Sequence, residues 1–152
     1  MYKKLLVLPL IIVILYICGC TNKPQKIEKF YISEEYYNST GFINIDESEI
    51  RNLNDNSYVL FTYNNFCNLS IPCEQVFEEF MDNYKISLLS IPFENFKNTE
   101  LYKTVKYAPS IIIIKEGKVV AYLDANSDED LDKYQNVQAF TDWLSQYIYL
   151  NN

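Results

Sequence analysis

The chain has 152 residues, a formal net charge of −7 at pH 7 and no histidine. Its acidic balance argues against nucleic-acid binding, because contacts to phosphate rely on lysine and arginine. Without histidine, the chain can form no Ser-His-Asp or Cys-His catalytic arrangement and no histidine metal site. Only three glycines are present, and they are scattered, so there is no glycine-rich phosphate loop. We therefore expect neither a bound metal nor a cofactor.

The first twenty residues have the organisation of an export signal. Lys3 and Lys4 precede the apolar run Leu5–Ile17, which is shorter than the roughly 20 residues that a spanning helix needs. The following Cys18-Gly19-Cys20 resembles a bacterial lipobox, in which cleavage before the last cysteine leaves that residue lipidated. This resemblance implies a signal peptide over residues 1–19 and a lipid such as palmitate on Cys20. The protein would then be anchored at the extracytoplasmic face of the cell membrane. An uncleaved signal anchor and a secreted protein cut nearby are the alternatives.

Cleavage of the signal peptide would change the net charge of the chain and the number of its free cysteines. Loss of Lys3 and Lys4 lowers the formal net charge from −7 to −9, so anionic lipid headgroups would repel the domain. With Cys20 carrying lipid, Cys67 and Cys73 are the two remaining cysteines. An even pair in an exported domain predicts a Cys67–Cys73 disulfide.

Residues 20–40 are predicted to form a tether and an N-terminal extension. Thr21–Lys29 is polar and contains one proline, as is typical of a short linker. Phe30–Thr40 is too rich in tyrosine for a free tether, so we expect it to pack on the domain that follows. We predict that domain over residues 41–152.

The hydrophobic pattern of residues 41–152 predicts nine elements in the order β-α-β-α-β-α-β-β-α. They are Gly41–Ile45, a helix opened by the capping box at Asp46 and ending near Leu53, Tyr58–Tyr63, a helix from Pro72, Lys85–Ile91, Thr99–Lys106, Ser110–Ile114, Val119–Asp124 and a helix capped by Asn136. Pro92–Asn98 is expected to be a loop. The acidic stretch Ala125–Lys133 lacks the spacing of a calcium loop and is expected to be a solvated loop. This order implies an α/β fold with a mixed sheet between helices on both faces.

Cys67 and Cys73 lie between the central strand and the helix that follows it. On one continuous helix they would be about 9 Å apart, whereas bridgeable cysteines need Cα atoms within about 7 Å. A disulfide therefore requires residues 68–72 to fold back as a loop. Pro72 permits this loop, because it disfavours helical geometry at Ile71 and suits the first helical turn. Cys73 then lies where the helix dipole favours a thiolate.

The order of strand, cysteine, loop, Pro-Cys and helix resembles the active-site region of the thioredoxin superfamily. Tyr107-Ala108-Pro109 before an apolar strand and hairpin resembles the cis-proline loop of that superfamily. The resemblance covers about Gly41 to the C-terminus and implies a thioredoxin-like fold. It also implies thiol–disulfide exchange by Cys67 and Cys73, with Ala108 and Pro109 presenting backbone to an extended substrate. Exported thiol or disulfide proteins and a redox partner would be the protein partners.

The chain departs from the superfamily at three positions around the cysteines. Five residues separate Cys67 from Cys73, where two are usual, and Phe66 stands where the aromatic is often tryptophan. Phe61 stands where a buried acid often moves protons. A non-catalytic binding or accessory module with a structural disulfide is therefore the alternative function. The segment 41–67 also resembles bacteriocin-transport accessory proteins of Gram-positive bacteria.

The identity of the attacking cysteine is left open by the sequence. In the superfamily the first cysteine is the nucleophile, which implies Cys67. The position of Cys73 in the first helical turn instead favours Cys73 as the thiolate.

Overall fold

The computed structural model describes residues 28–64, 71–124 and 126–151. The strands are β1 (Phe42–Asn44), β2 (Tyr58–Tyr63), β3 (Leu88–Pro92), β4 (Ser110–Lys115) and β5 (Lys118–Tyr122). The α-helices are α1 (Glu47–Asn52), α2 (Cys73–Tyr84), α3 (Phe93–Phe96) and α4 (Val137–Leu144). Short 3-10 turns cover Glu34–Tyr36, Glu100–Lys103 and Leu131–Tyr134. In this part of the chain, no helix has the length and apolar character that a membrane crossing requires.

The five strands form one mixed sheet in the order β1-β3-β2-β4-β5. β1 and β2 both pair with β3 in parallel, whereas β4 runs antiparallel to β2 and β5 antiparallel to β4. Every residue of β2 from Tyr58 to Thr62 is buried, so helices and loops cover both faces of the central strand. The predicted α/β architecture is confirmed, and the chain has a thioredoxin-like fold.

Aromatic side chains pack α2 and α4 against one face of this sheet. The ring of Phe77 on α2 lies 5.2 Å from Phe61 of β2 and 4.8 Å from Phe140 of α4, measured between centroids. Phe80, one turn further along α2, makes an edge-to-face contact with Phe140 at 5.1 Å. These contacts fix the axis of α2 and therefore the position of its first residue, Cys73.

The segment before β1 packs on the domain, as its tyrosines predicted. The backbone N–H of Phe30 donates to the carbonyl of Tyr147, and the N–H of Tyr149 donates to the carbonyl of Phe30, both at 3.0 Å. Phe30, Ile32 and Tyr36 are buried in the same core as the sheet. The N-terminal extension is therefore attached to the end of the chain that follows α4.

The predicted helix caps are confirmed at both helices that carry one. The carboxylate of Asp46 accepts from the backbone N–H groups of Ser48 and Glu49, at 2.8 and 3.0 Å, and Glu49 accepts in return from Asp46 N–H at 2.9 Å. The side-chain oxygen of Asn136 accepts from Ala139 N–H at 3.0 Å and so starts α4. Each cap satisfies backbone donors that the first helical turn would otherwise leave unpaired.

The prediction for the segment between β3 and β4 was wrong. Pro92–Asn98 is not a plain loop, because Pro92 precedes a helical turn at α3 and its φ of −58° suits a helix start. Thr99–Lys106 is not a full helix, since only Glu100–Lys103 forms a 3-10 turn. The rings of Phe93 and Phe96 both pack against Tyr102. This contact folds the segment into two short turns in place of one longer helix.

Candidate functional site

Cys73 is the first residue of α2 and points into the core. Pro72 precedes it with φ −56° and ψ 126°, so the chain enters the helix directly from extended backbone. Val76, Phe77, Phe80 and Met81 form the buried face of α2, and Cys73 is buried with them. Its sulfur therefore sits at a helix N-terminus, where unpaired N–H groups favour a thiolate.

Several predicted site residues lie outside the described residues. Cys67 falls within 65–70, so its distance from Cys73 and the Cys67–Cys73 disulfide stay predictions. Cys20 and the signal segment fall within 1–27, and their roles also stay predictions.

The Ala108–Pro109 peptide bond is cis, as predicted, and this loop is fastened from several sides. The carbonyl of Ala108 accepts from the side-chain amide of Asn64 at 3.2 Å, which ties the loop to the end of β2. The carbonyl of Pro109 accepts from the hydroxyl of Tyr134 at 2.9 Å. Ser110 donates its hydroxyl to the carbonyl of Tyr107 at 2.8 Å. The loop is thus fixed beside the point where β2 leads into the cysteine segment.

Tyr134 connects the cis-proline loop to the cysteine helix. Its hydroxyl lies 2.9 Å from the carbonyl of Pro109 and 3.0 Å from that of Leu123, and its ring meets Phe77 of α2 edge-on at 6.1 Å. Burial raises the pKa of Tyr134 above its usual range; the Ser110 hydroxyl opposes this, and the charges of Cys73, Asp130 and Asp124 add to it. The hydroxyl is therefore protonated at neutral pH and remains a donor. Tyr134 therefore contacts the cis-proline loop through its hydroxyl and α2, the helix that begins at Cys73, through its ring.

Sequence reasoning did not identify Tyr134 as a site residue. It directly follows the acidic stretch Ala125–Lys133 that was expected to be a solvated loop, and it is 3% exposed. The only signal was an isolated large aromatic among charged residues. Its hydrogen-bond partners come from distant parts of the chain, so no local pattern reveals them.

The acidic stretch around residues 124–133 is organised by internal contacts. One carboxylate oxygen of Asp130 accepts from the backbone N–H of Asp124 at 2.9 Å, and the other pairs with Lys133 at 3.0 Å. Across the described ranges, no group of three or more His, Cys, Asp or Glu side chains is arranged to hold a metal ion. The contacts of Asp130 shape the loop that carries Tyr134 to the cis-proline.

Phe61 occupies the strand position where the superfamily often has an acid. It is buried among rings, with Phe42 at 5.4 Å, Tyr63 at 5.7 Å and Phe77 at 5.2 Å. The next residue, Thr62, is fully buried, and its hydroxyl has no hydrogen-bond partner among the described residues. Position 61 therefore supplies no carboxylate for proton transfer.

A small open cleft lies over these rings, next to the start of α2. It has a volume of about 120 Å³ and is lined by Phe42, Asn44, Phe61, Tyr63, Glu74 and Ser90. Ser90 donates its hydroxyl to Asn44 at 2.7 Å. Glu74 is the residue that follows Cys73, so the cleft borders the candidate site.

Comparison with known proteins finds similarity in solved structures alone, and at low sequence identity. No protein-family model matches it, and no curated protein does. Among solved structures, oxidised thioredoxin O1 from Arabidopsis thaliana is 15% identical, with 71% of this chain and 98% of that chain covered at a TM-score of 0.49. Thioredoxin f2 from Chlamydomonas reinhardtii is 16% identical, with 70% and 98% covered at a TM-score of 0.47. The thioredoxin-like fold follows from this chain's own strand order and helix placement, and these distant similarities add no argument to it.

Removal of the Tyr134 hydroxyl tests its role in fastening the cis-proline loop. Tyr134→Phe leaves two backbone carbonyls without this donor, so we expect the free energy of unfolding to fall by about 1–3 kcal/mol at pH 7. Above about pH 10 the deficit should narrow. At that pH, Tyr134 ionises in the unfolded wild type but stays protonated in the folded one, which lowers the free energy of unfolding of the wild type. Tyr134→Phe has no such group, so its free energy of unfolding does not fall for this reason. Urea unfolding at pH 7 and pH 10.5 measures both effects.

Tyr107→Phe is the matched control, because Tyr107 is 54% exposed. It should change the unfolding free energy by less than about 0.5 kcal/mol. Equal stability of Tyr134→Phe and the wild type at pH 7 would show that the hydroxyl does not support the loop.

Proposed function

We propose that this protein is a membrane-anchored thiol–disulfide exchange protein that acts on exported proteins through Cys67 and Cys73. The observation that carries the proposal is that Tyr134 joins the cis Ala108–Pro109 loop, through its hydroxyl, to the helix that begins at Cys73, through its ring. The helix α2, whose N-terminus favours a thiolate at Cys73, is then joined by Tyr134 to the loop at which we place the extended substrate chain. The thioredoxin-like fold supports the same reaction class, which the sequence resemblance implied.

The exchange proceeds in two steps, attack on the substrate disulfide and then resolution of the mixed disulfide. The thiolate of one cysteine attacks a sulfur of the substrate disulfide, forming a protein–substrate disulfide and releasing one substrate thiolate, which takes up a proton. The second cysteine then attacks the protein sulfur of that bond and releases the other substrate thiol. The substrate has gained two electrons, and the protein is left with a Cys67–Cys73 disulfide. A separate thiol–disulfide partner returns the pair to its starting state, and the reverse sequence oxidises a substrate dithiol.

The burial of Cys73 favours Cys67 as the attacking residue. Cys73 is 1% exposed, and a protein disulfide must approach the attacking sulfur directly. The resolving cysteine needs only to reach its neighbour in the same loop. We therefore assign attack to Cys67 and resolution to Cys73, which agrees with the order implied by the superfamily and not with the helix-dipole argument alone.

A non-catalytic binding module is the second candidate, and Phe61 favours it. The aromatic contacts of Phe61 leave no acid at that position to move a proton to or from the buried cysteine. In that case the disulfide would stabilise the loop by roughly 2–2.5 kcal/mol, from the entropy of closing a seven-residue segment.

The anchoring proposal combines the lipobox resemblance with the packing of the extension. If Cys20 carries lipid, the ten residues from Cys20 to Lys29 separate the lipid from Phe30, which is fastened to the domain. Fully extended, ten residues reach at most about 35 Å. The domain would then work close to the membrane surface, despite its negative charge.

Trapping of mixed disulfides tests the enzymatic proposal and the order of the cysteines. Expressed in cells of its source, Cys73→Ser should accumulate disulfides between Cys67 and exported proteins, since the resolving thiol is missing. Cys67→Ser should accumulate few, and the double variant is the background control. Non-reducing gels and mass spectrometry measure the adducts. Absence of adducts above background in both single variants would favour the binding module, and adducts in Cys67→Ser alone would reverse the assignment.

Metabolic labelling with a palmitate analogue tests the lipid anchor. The wild type should be labelled and Cys20→Ala should not, because that change removes the acceptor sulfur. Cys18→Ala is the matched control, because it also removes a cysteine of the same segment. It should keep the label, because Cys20 is still present. Label that persists in Cys20→Ala would contradict the anchor.

A further inference from the structure

The cleft beside α2 combines aromatic walls with a single ionisable carboxylate. Phe42, Phe61 and Tyr63 form a row in which neighbouring ring centroids are 5.4 and 5.7 Å apart. Their planes are inclined by only 31° and 26°, so the rings form one continuous apolar wall. Glu74 is the acidic residue among the described lining residues, and none of these is a lysine or an arginine.

The side chain of Glu74 makes no hydrogen bond and no ion pair with the residues that the structure describes. The ion pairs found there join Lys97 to Glu94, Lys103 to Glu100 and Lys133 to Asp130. Glu74 is also only partly exposed, unlike Glu78 and Glu79 on the same helix. A half-buried carboxylate next to three rings has lost part of its hydration without gaining a partner from these residues.

We propose that this cleft binds a lysine or arginine side chain of the protein on which Cys67 and Cys73 act. A cation is attracted both by the faces of aromatic rings and by a carboxylate. The volume of about 120 Å³ suits the end of one side chain and excludes a folded element. The proposal rests on the proposed function for the identity of the partner, although the binding itself needs no redox step.

The other classes of occupant fit this lining less well. A purely apolar side chain would cover Glu74 without pairing it, which costs free energy. An anion would meet Glu74 on a chain whose formal net charge is −7. A basic side chain alone satisfies both the rings and the carboxylate.

The position of the cleft links this site to substrate choice. Glu74 follows Cys73 directly, so their Cα atoms are about 3.8 Å apart. A basic residue held by Glu74 would place the neighbouring part of the partner chain next to the cysteines. Exported proteins with lysine or arginine close to an exchanging cysteine are therefore the substrate class.

Peptide binding to the full chain in detergent tests the site. Two fluorescent peptides are compared, identical except that lysine in one is replaced in the other by norleucine, which keeps the four-carbon chain and lacks the ammonium group. Both peptides lack cysteine. By fluorescence anisotropy, the lysine peptide should bind about five- to thirtyfold more tightly at low salt, from one cation–π contact and one ion pair. Added salt should reduce the preference, because the ion pair is accessible to solvent.

Two variants separate the cleft from the overall charge of the protein. Glu74→Gln should reduce the preference for lysine to the two- to fivefold that about 0.5–1 kcal/mol from the rings supplies. Glu78→Gln, with the same charge change on the exposed side of α2, should keep the full preference. Tyr63→Leu should weaken it by removing one ring. The carboxylate of Glu74 also stabilises α2 by interacting with the helix dipole, because it lies in the first helical turn. That role would not change the relative affinity for the two peptides.

Equal binding of the two peptides, or a lysine preference that is undiminished in Glu74→Gln, would overturn the proposal. Tighter binding of norleucine would do the same, since it would identify an apolar pocket. The peptides carry no thiol, so this result does not depend on mixed-disulfide trapping. Lysine preference without trapped adducts would indicate a binding module that uses the cleft, and trapped adducts without lysine preference would leave the enzyme but remove this site.

Discussion

The burial of β2 on both faces is the constraint on which the rest of the structure depends. β2 pairs with β3 on one side and β4 on the other, and its residues Tyr58–Thr62 are inaccessible to solvent. Phe61 anchors α2, and Thr62 pairs with Ser110 directly after the cis-proline. The same strand therefore brings the start of the cysteine helix and the cis-proline loop to one edge of the sheet. A change in its register would separate them.

The parts of the fold that arise from local patterns were predictable from the sequence. Tyr58–Tyr63 has its predicted bounds, and the caps at Asp46 and Asn136 form as their side chains indicated. The segment around Phe93, Phe96 and Tyr102 was mispredicted, because ring contacts between its two halves outweigh the helical pattern. Tyr134 was missed for a related reason, since its partners Pro109 and Leu123 lie far away in sequence or in another element.

The helix that begins at Cys73 packs its buried face against aromatic rings. Phe61 and Phe77 supply rings below the first turn of α2, and Tyr134 supplies a protonated hydroxyl that already donates to backbone carbonyls. A thiolate there would be stabilised by the N-terminus of α2 more than by any charged side chain of the described core.

The reduction potential of the Cys67–Cys73 pair tests the central claim most directly. The full chain in detergent is equilibrated with thiol–disulfide buffers of defined potential. The fraction of reduced protein is then measured by mass spectrometry after alkylation of the free thiols. A pair that exchanges disulfides with exported proteins should have a potential above about −300 mV, in the range of catalytic disulfides. A potential well below that value would identify a structural disulfide and contradict the account.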